Sequence, residues 1–207
     1  MLHKLQKFQQ LVGILGVLIL WSGIATAMFI GHLRLFDTLP ISSLGVNPKT
    51  AYLFSLSLLI SAALFINFAY YVRRTFIINN SFLIFFLIGQ IGQAIVAIAP
   101  YGNHSQYRLL HTIAAFTLAF SLPLLMQQFY YSQKDNTHSH LFKQLLFLEI
   151  VLFVVGIGTF IFTQGLAPLG EILPTLGFHL WIVIISIIAL KNYQSEGLSY
   201  NKLQTKA

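Results

Sequence analysis

Six long apolar stretches account for most of this 207-residue chain. An α-helix rises about 1.5 Å per residue, so crossing a hydrocarbon core roughly 30 Å thick takes about 20 apolar residues. The stretches run about 8–31, 50–72, 82–99, 109–130, 141–163 and 172–190. They predict an all-α integral membrane protein, a bundle of six transmembrane helices forming a single domain over 1–190, with a short polar tail at 191–207. The segments between them are too short for a soluble domain of ordinary size. With 57% of residues hydrophobic and 8% charged, the chain could not cover a water-soluble globule with polar side chains, whereas a bilayer has a place for both classes.

The net charge of +7 matters through its distribution rather than its sum. Lys4, Lys7, Arg73, Arg74, Lys134, Lys143, Lys191, Lys202 and Lys206 flank the spans on one side, and only Arg34, Lys49 and Arg108 lie on the other. Orientation follows Lys and Arg close to span ends, which predicts that both termini are cytoplasmic. The expected location is a cell membrane, specifically a bacterial inner membrane, and the expected partners are membrane lipids with anionic headgroups. No groove-reading element accompanies the charge, so nucleic acid is not expected as a partner. The absence of cysteine excludes disulfides, iron–sulfur clusters and thiolate zinc sites.

The first span begins after Lys4 and Lys7 and contains Ala25-Thr26-Ala27, the outline of a cleavable signal peptide. Its apolar run continues to Gly31, beyond the usual apolar core of such a peptide, and Gly23, Ala27 and Gly31 recur every fourth residue. That spacing makes a small-residue stripe on which another helix can approach closely, so a retained helix is expected. Ser57 with Ser61, and Ala115 with Ala119, repeat the spacing.

Three connections, all on the side with few basic residues, carry more proline, glycine and ionisable residues than simple connection needs. The first holds His32, Arg34, Asp37, Pro40, Gly45 and Pro48; the second Pro100, His104, Arg108 and His111; the third Pro168, Glu171 and Pro174, with His179 one to two turns into the last helix. With Asn103 as an N-cap, residues 104 onward can be helical, and His104, Arg108 and His111 then share one face. A permanently charged guanidinium between two imidazoles disfavours a divalent cation and suits an anion, to which arginine presents a planar fork. That anion is either a lipid headgroup or a carboxylate of a neighbouring loop, Asp37 or Glu171. His138-x-His140, in an exposed turn with no third ligand, is not expected to hold a metal.

Ile41-Ser42-Ser43-Leu44-Gly45, with Pro48 at the start of span two and Phe54 within it, resembles the Ile-Ser-Asp-x-Gly…Pro…Phe signature of the six-helix DRAM/Frag/Sfk membrane proteins. It is similar also to the related prokaryotic domain-of-unknown-function family numbered nine-nine-eight. His111-Thr-Ile-Ala114-Ala115-Phe116, opening span four, matches the His-x-x-Ala-Ala-Phe pattern of the same group. Ser43 stands where the family carries an acidic residue. The resemblance implies lipid handling rather than a defined reaction.

Two readings follow. The first is a non-enzymatic module that binds lipid or organises the membrane through external basic and histidine residues, with no cofactor and no metal. The second is an intramembrane hydrolase or transferase in which His104, His111 and His179, with Asp37 or Glu171, hold a metal and activate water. Arg108 interrupts the available stripe, and the helical His-x-x-x-His pair is absent.

Within the spans, Asn67, Gln90, Gln93 and Gln127 are candidates for interhelical hydrogen bonds, and Pro123 for a kink in span four. Glu149 is the one acidic residue deep in a span. It is expected to face the bundle interior, with Asn67 and Gln90 as its partners by depth.

Overall fold

The computed structural model describes the backbone of residues 2–99, 105–164 and 167–204, and the side chains of residues 9, 11–99, 106–164 and 167–190. Six helices follow one another: α1 Leu2–Gly31, α2 Ala51–Thr75, α3 Asn80–Ile98, α4 Ser105–Ser132, α5 Ser139–Phe162 and α6 Pro168–Gln204. A short 3-10 helix, Ile41–Gly45, lies between α1 and α2. No strand occurs among the described residues. Each helix contains a segment long and apolar enough to cross a membrane: Leu11–Gly31, Ala51–Thr75, Asn80–Ile98, Gln106–Ser132, Ser139–Phe162 and Pro168–Leu190. The protein is a multi-pass, all-α membrane bundle, with ends within a few residues of those the hydropathy predicts.

Residues 191–204 continue α6 as helix, with no proline to interrupt them. At its other end α6 starts earlier than the predicted 172, with Pro168 in the first turn, where a missing N–H costs nothing. Glu171 is therefore helical rather than part of a loop, in the first turn where a carboxylate favours the helix dipole. The ends of α1, α2 and α5 are followed closely by His32, Ile77 and Gln164 in the left-handed conformation, with φ of 55°, 50° and 55°. That conformation turns the chain out of a helix.

Consecutive helices pack side by side and α6 closes the circle against α1, while also touching α4. Between α1 and α2 the approach is set by Gly23, where an added Cβ would collide with the Ser57 side chain. Ala27 is fully buried beside it, so the small-residue stripe of α1 is a packing surface. The outermost helix is α5, with 17% of its apolar window buried against 61% for α6. The half of the bundle nearer the two chain ends is filled by aromatic rings. Phe129 of α4 meets Phe142 of α5 and Trp181 of α6 edge-on, at centroid separations of 5.0 and 5.1 Å. Phe68 of α2 and Phe82 of α3 complete the cluster around Trp181.

Candidate functional site

The opposite half, under the first and third connections, is hollow. A cavity of 140 Å³ lies there, reached by side chains of all six helices and of the 3-10 turn. Its rim is fixed by one clasp. Glu171, in the first turn of α6, accepts a hydrogen bond from the Ser42 backbone N–H at 2.9 Å through Oε2 and from the Ser42 hydroxyl at 2.8 Å through Oε1. Two hydrogen bonds to one carboxyl group tie the 3-10 turn to α6 across 129 residues of sequence. Thr50 holds the turn from the other side, its hydroxyl donating to the Leu44 carbonyl at 2.7 Å.

His111, buried on α4, lines the cavity. Its Nδ1 lies 2.8 Å from the Ala99 carbonyl oxygen at the end of α3. A carbonyl only accepts, so Nδ1 carries the hydrogen and the neutral ring keeps Nε2 as an acceptor. His179 lies about 16 Å of helix rise along α6 from Pro168, at the deep end. It is surrounded by rings: stacked on Phe65 at 5.6 Å, edge-on to Trp21 at 5.6 Å, and beside Phe178. Its Nδ1 is occluded and has no hydrogen-bond partner among the described residues. Gln93 lines the wall from α3, and its amide nitrogen donates to the Leu58 carbonyl at 3.0 Å and to Ser61 Oγ at 2.7 Å. The expected interhelical role of Gln93 is thus filled by α2.

The walls differ in exposure. Leu20, Ile24, Phe54, Leu58 and Val96, from α1, α2 and α3, are buried. Thr112, Ala115 and Phe116 of α4 and Ile157 and Phe160 of α5 are only half-buried, as are Trp21 of α1 and Glu171 and Thr175 of α6, so most of the half-buried lining lies along the α4–α5 seam. The rings of Phe116 and Phe160 meet edge-on across that seam at 5.5 Å.

Of the residues singled out in the sequence, His111, Glu171 and His179 are brought to this one cavity. Arg108 is exposed one turn outside it, its carbonyl accepting from the Thr112 hydroxyl at 2.8 Å, on the α4 face that carries Thr112 and Ala115 inward. Asp37 stays in its own loop, where Oδ2 accepts from the Arg34 N–H at 2.6 Å. His104 lies outside the described residues, as does the rest of 100–103. His179 is three turns into α6 rather than one to two, because the helix begins earlier. Among the described residues, no three His, Asp or Glu side chains are grouped so that they could hold a metal ion.

The partners expected for Glu149 are not found beside it. Asn67 is exposed on α2, and Gln90, buried on α3, makes no side-chain hydrogen bond among the described residues. The reason is the packing order: α5 lies against α4 and α6, so Glu149 packs at Gly177, where a Cβ would come within 2.5 Å of the carboxylate. The polar group that its carboxyl meets there is the Phe178 backbone N–H of α6.

Sequence reasoning passed over Ser42 as a site residue, although it stood in a quoted motif, and it passed over Trp21, Phe116 and Phe160. Aromatic residues in apolar spans carry no signal that separates a cavity wall from ordinary core.

No family model, curated protein or solved structure matches the chain.

Proposed function

We propose that this multi-pass membrane protein is a non-enzymatic lipid-binding module. One apolar chain of a bilayer lipid enters the cavity along the α4–α5 seam, and an anionic headgroup remains at the rim, where Arg108 provides the charge. The observation that carries this reading is the cavity itself, apolar along most of its wall and with most of its half-buried lining on the α4–α5 seam. An apolar cavity of about 150 Å³ accepts a benzene-sized group, so the space here suits a segment of chain rather than a whole lipid. Among the described residues no Lys or Arg lines it, which leaves the headgroup to Arg108 outside. The resemblance of the Ile41–Gly45 turn and the His111–Phe116 segment to a lipid-handling family agrees with this proposal. The bias of basic residues supports an orientation with this rim on the external face and both termini in the cytoplasm.

Native mass spectrometry of the purified protein tests the reading. Wild type should retain an anionic lipid; Ala119→Phe, which fills the cavity, should lose it while remaining folded. Arg108→Ala should lower the preference for anionic over neutral lipid, and Arg108→Lys should restore part of it, because an ammonium lacks the planar fork. Equal retention by wild type and Ala119→Phe would overturn the proposal. Stoichiometric zinc that is lost on His111→Ala would replace it with the metal-hydrolase reading. For orientation, an impermeant thiol reagent on intact cells should label Ser43→Cys and spare Asn136→Cys, and the reverse pattern would invert the topology.

A further inference from the structure

The lipid-facing side of α2 carries a polar group that the bundle does not satisfy. Leu56, Ile60, Ala63, Asn67 and Tyr70 are exposed and recur at helical spacing, opposite the buried face of Phe54, Leu58, Ser61, Phe65 and Phe68. Asn67 lies six residues before Arg73, about 9 Å of helix rise inside the point where a basic residue can meet the headgroups. A carboxamide is too short to reach water from there, and the hydrocarbon offers no partner. On α1 the exposed hydroxyls are satisfied by their own helix: Ser22 donates to the Ile19 carbonyl at 3.2 Å, and Thr26 to the Ser22 carbonyl at 2.7 Å. Asn67 makes no side-chain hydrogen bond among the described residues.

We infer that this face of α2 is a homodimer interface in which Asn67 pairs with Asn67 of a second copy. Depth and chemistry both point to a second copy. Two copies inserted in the same orientation place Asn67 at the same level of the bilayer, so a twofold axis along the membrane normal brings the two amides together without further adjustment. The carboxamide is self-complementary, each N–H donating to the other's oxygen. Ala63, one turn away on the same face, is small enough to let the two α2 backbones approach. Dimerisation is independent of the lipid-binding proposal, since the α4–α5 seam and the α2 face involve different helices.

Singly labelled protein, reconstituted alone in phosphatidylcholine–phosphatidylglycerol vesicles and counted by photobleaching, tests the inference over a range of protein-to-lipid ratios. Wild type should move from one dye to two as the ratio rises. Asn67→Leu should shift that transition by roughly tenfold toward higher protein, and Asn67→Gln should restore most of it. The natural absence of cysteine allows a second measurement. Ala63→Cys, which keeps Asn67, should crosslink with an oxidant, whereas Ile150→Cys on the exposed face of α5 should not. Wild type that stays monomeric at all ratios, or Asn67→Leu that dimerises as wild type does, would overturn the inference.

Discussion

The two halves of the bundle use the same helices and the same kinds of side chain to opposite ends. Nearer the chain termini, Phe82, Phe129, Phe142 and Trp181 are all essentially inaccessible and close on one another, Phe129 edge to face with Phe142 and Trp181 and Phe82 tilted against Trp181. Nearer the Ser42–Glu171 clasp, Phe54, Phe116, Phe160 and Trp21 surround empty space. Lipid tails are as apolar as the side chains they would contact, so burial from water does not hold membrane helices together; packing and interhelical hydrogen bonds do. The filled half therefore combines ring-to-ring contact with ties of its own, from Gln133 to the Phe76 carbonyl and from Ser81 to Gln128, and the hollow half is held around its cavity by Ser42 to Glu171, Gln93 to Leu58 and Ser61, and His111 to Ala99. The contrast teaches that this fold can leave a void at one end because the other end and a few hydrogen bonds fix the helices. Phe65 and Phe178, which touch both the aromatic cluster and His179, lie at the boundary.

The sharpest way to break this contrast is to remove a large ring from each half. Trp181→Ala should destabilise the protein by about 3–5 kcal/mol, the usual cost of a large buried aromatic, because its neighbours cannot collapse into the gap. Phe116→Ala removes a ring that is already half-exposed beside a void, and it should cost much less. Reversible unfolding in mixed detergent micelles compares the two. Similar losses would mean that the cavity wall is packed as tightly as the core.

The clasp comes next in size. Glu171→Ala removes both bonds that Ser42 makes to the carboxyl group and should cost about 1–3 kcal/mol, whereas Ser42→Ala removes only the bond from the hydroxyl and should cost about 1 kcal/mol. With Glu171 gone, Ser42→Ala has no bond to it left to break, so the double variant should cost no more than Glu171→Ala alone. Additive losses would show that Glu171 and Ser42 contribute through separate partners, and the rim would then lack the single tie assigned to it.

The number, length and boundaries of the helices were legible because a 30 Å apolar solvent imposes one length on every span. The small-residue stripe at Gly23 and Ala27 was legible for a similar reason: close approach leaves a periodic mark. Of the candidate site, His111, Glu171 and His179 could be picked out because ionisable side chains are rare within spans. Their convergence could not, because spacing along one helix says nothing about which neighbours face it. The same limit misplaced the partners of Glu149: depth is readable from sequence, and by depth Asn67 and Gln90 fitted, but the packing order puts α6 and Gly177 at Glu149 instead. The apolar run begins at 172 and so leaves Glu171 in the third connection, whereas Pro168 begins the helix and Pro174 is accommodated within it against Gly156. Membrane helices tolerate such a proline where neighbouring elements satisfy the freed groups.

The smallest expected effect makes the most discriminating test, because it asks the same substitution to behave differently in the two halves. Ala69 on α2 is fully buried in the filled half, and Ala119 on α4 is nearly so but borders the cavity. Ala69→Leu must force three extra carbons into a region with no space, which should cost about 1–3 kcal/mol through shifted rotamers and backbone. Ala119→Leu directs the same carbons into the 140 Å³ void, where they gain contacts that the cavity lining lacks. Its stability should stay within about 0.5 kcal/mol of wild type or rise slightly. Delipidated protein in detergent is the right sample, since a retained lipid would occupy the space the leucine needs. A loss at Ala119 equal to that at Ala69 would mean that the cavity closes when empty, and the difference between the halves would then depend on the ligand rather than on the fold.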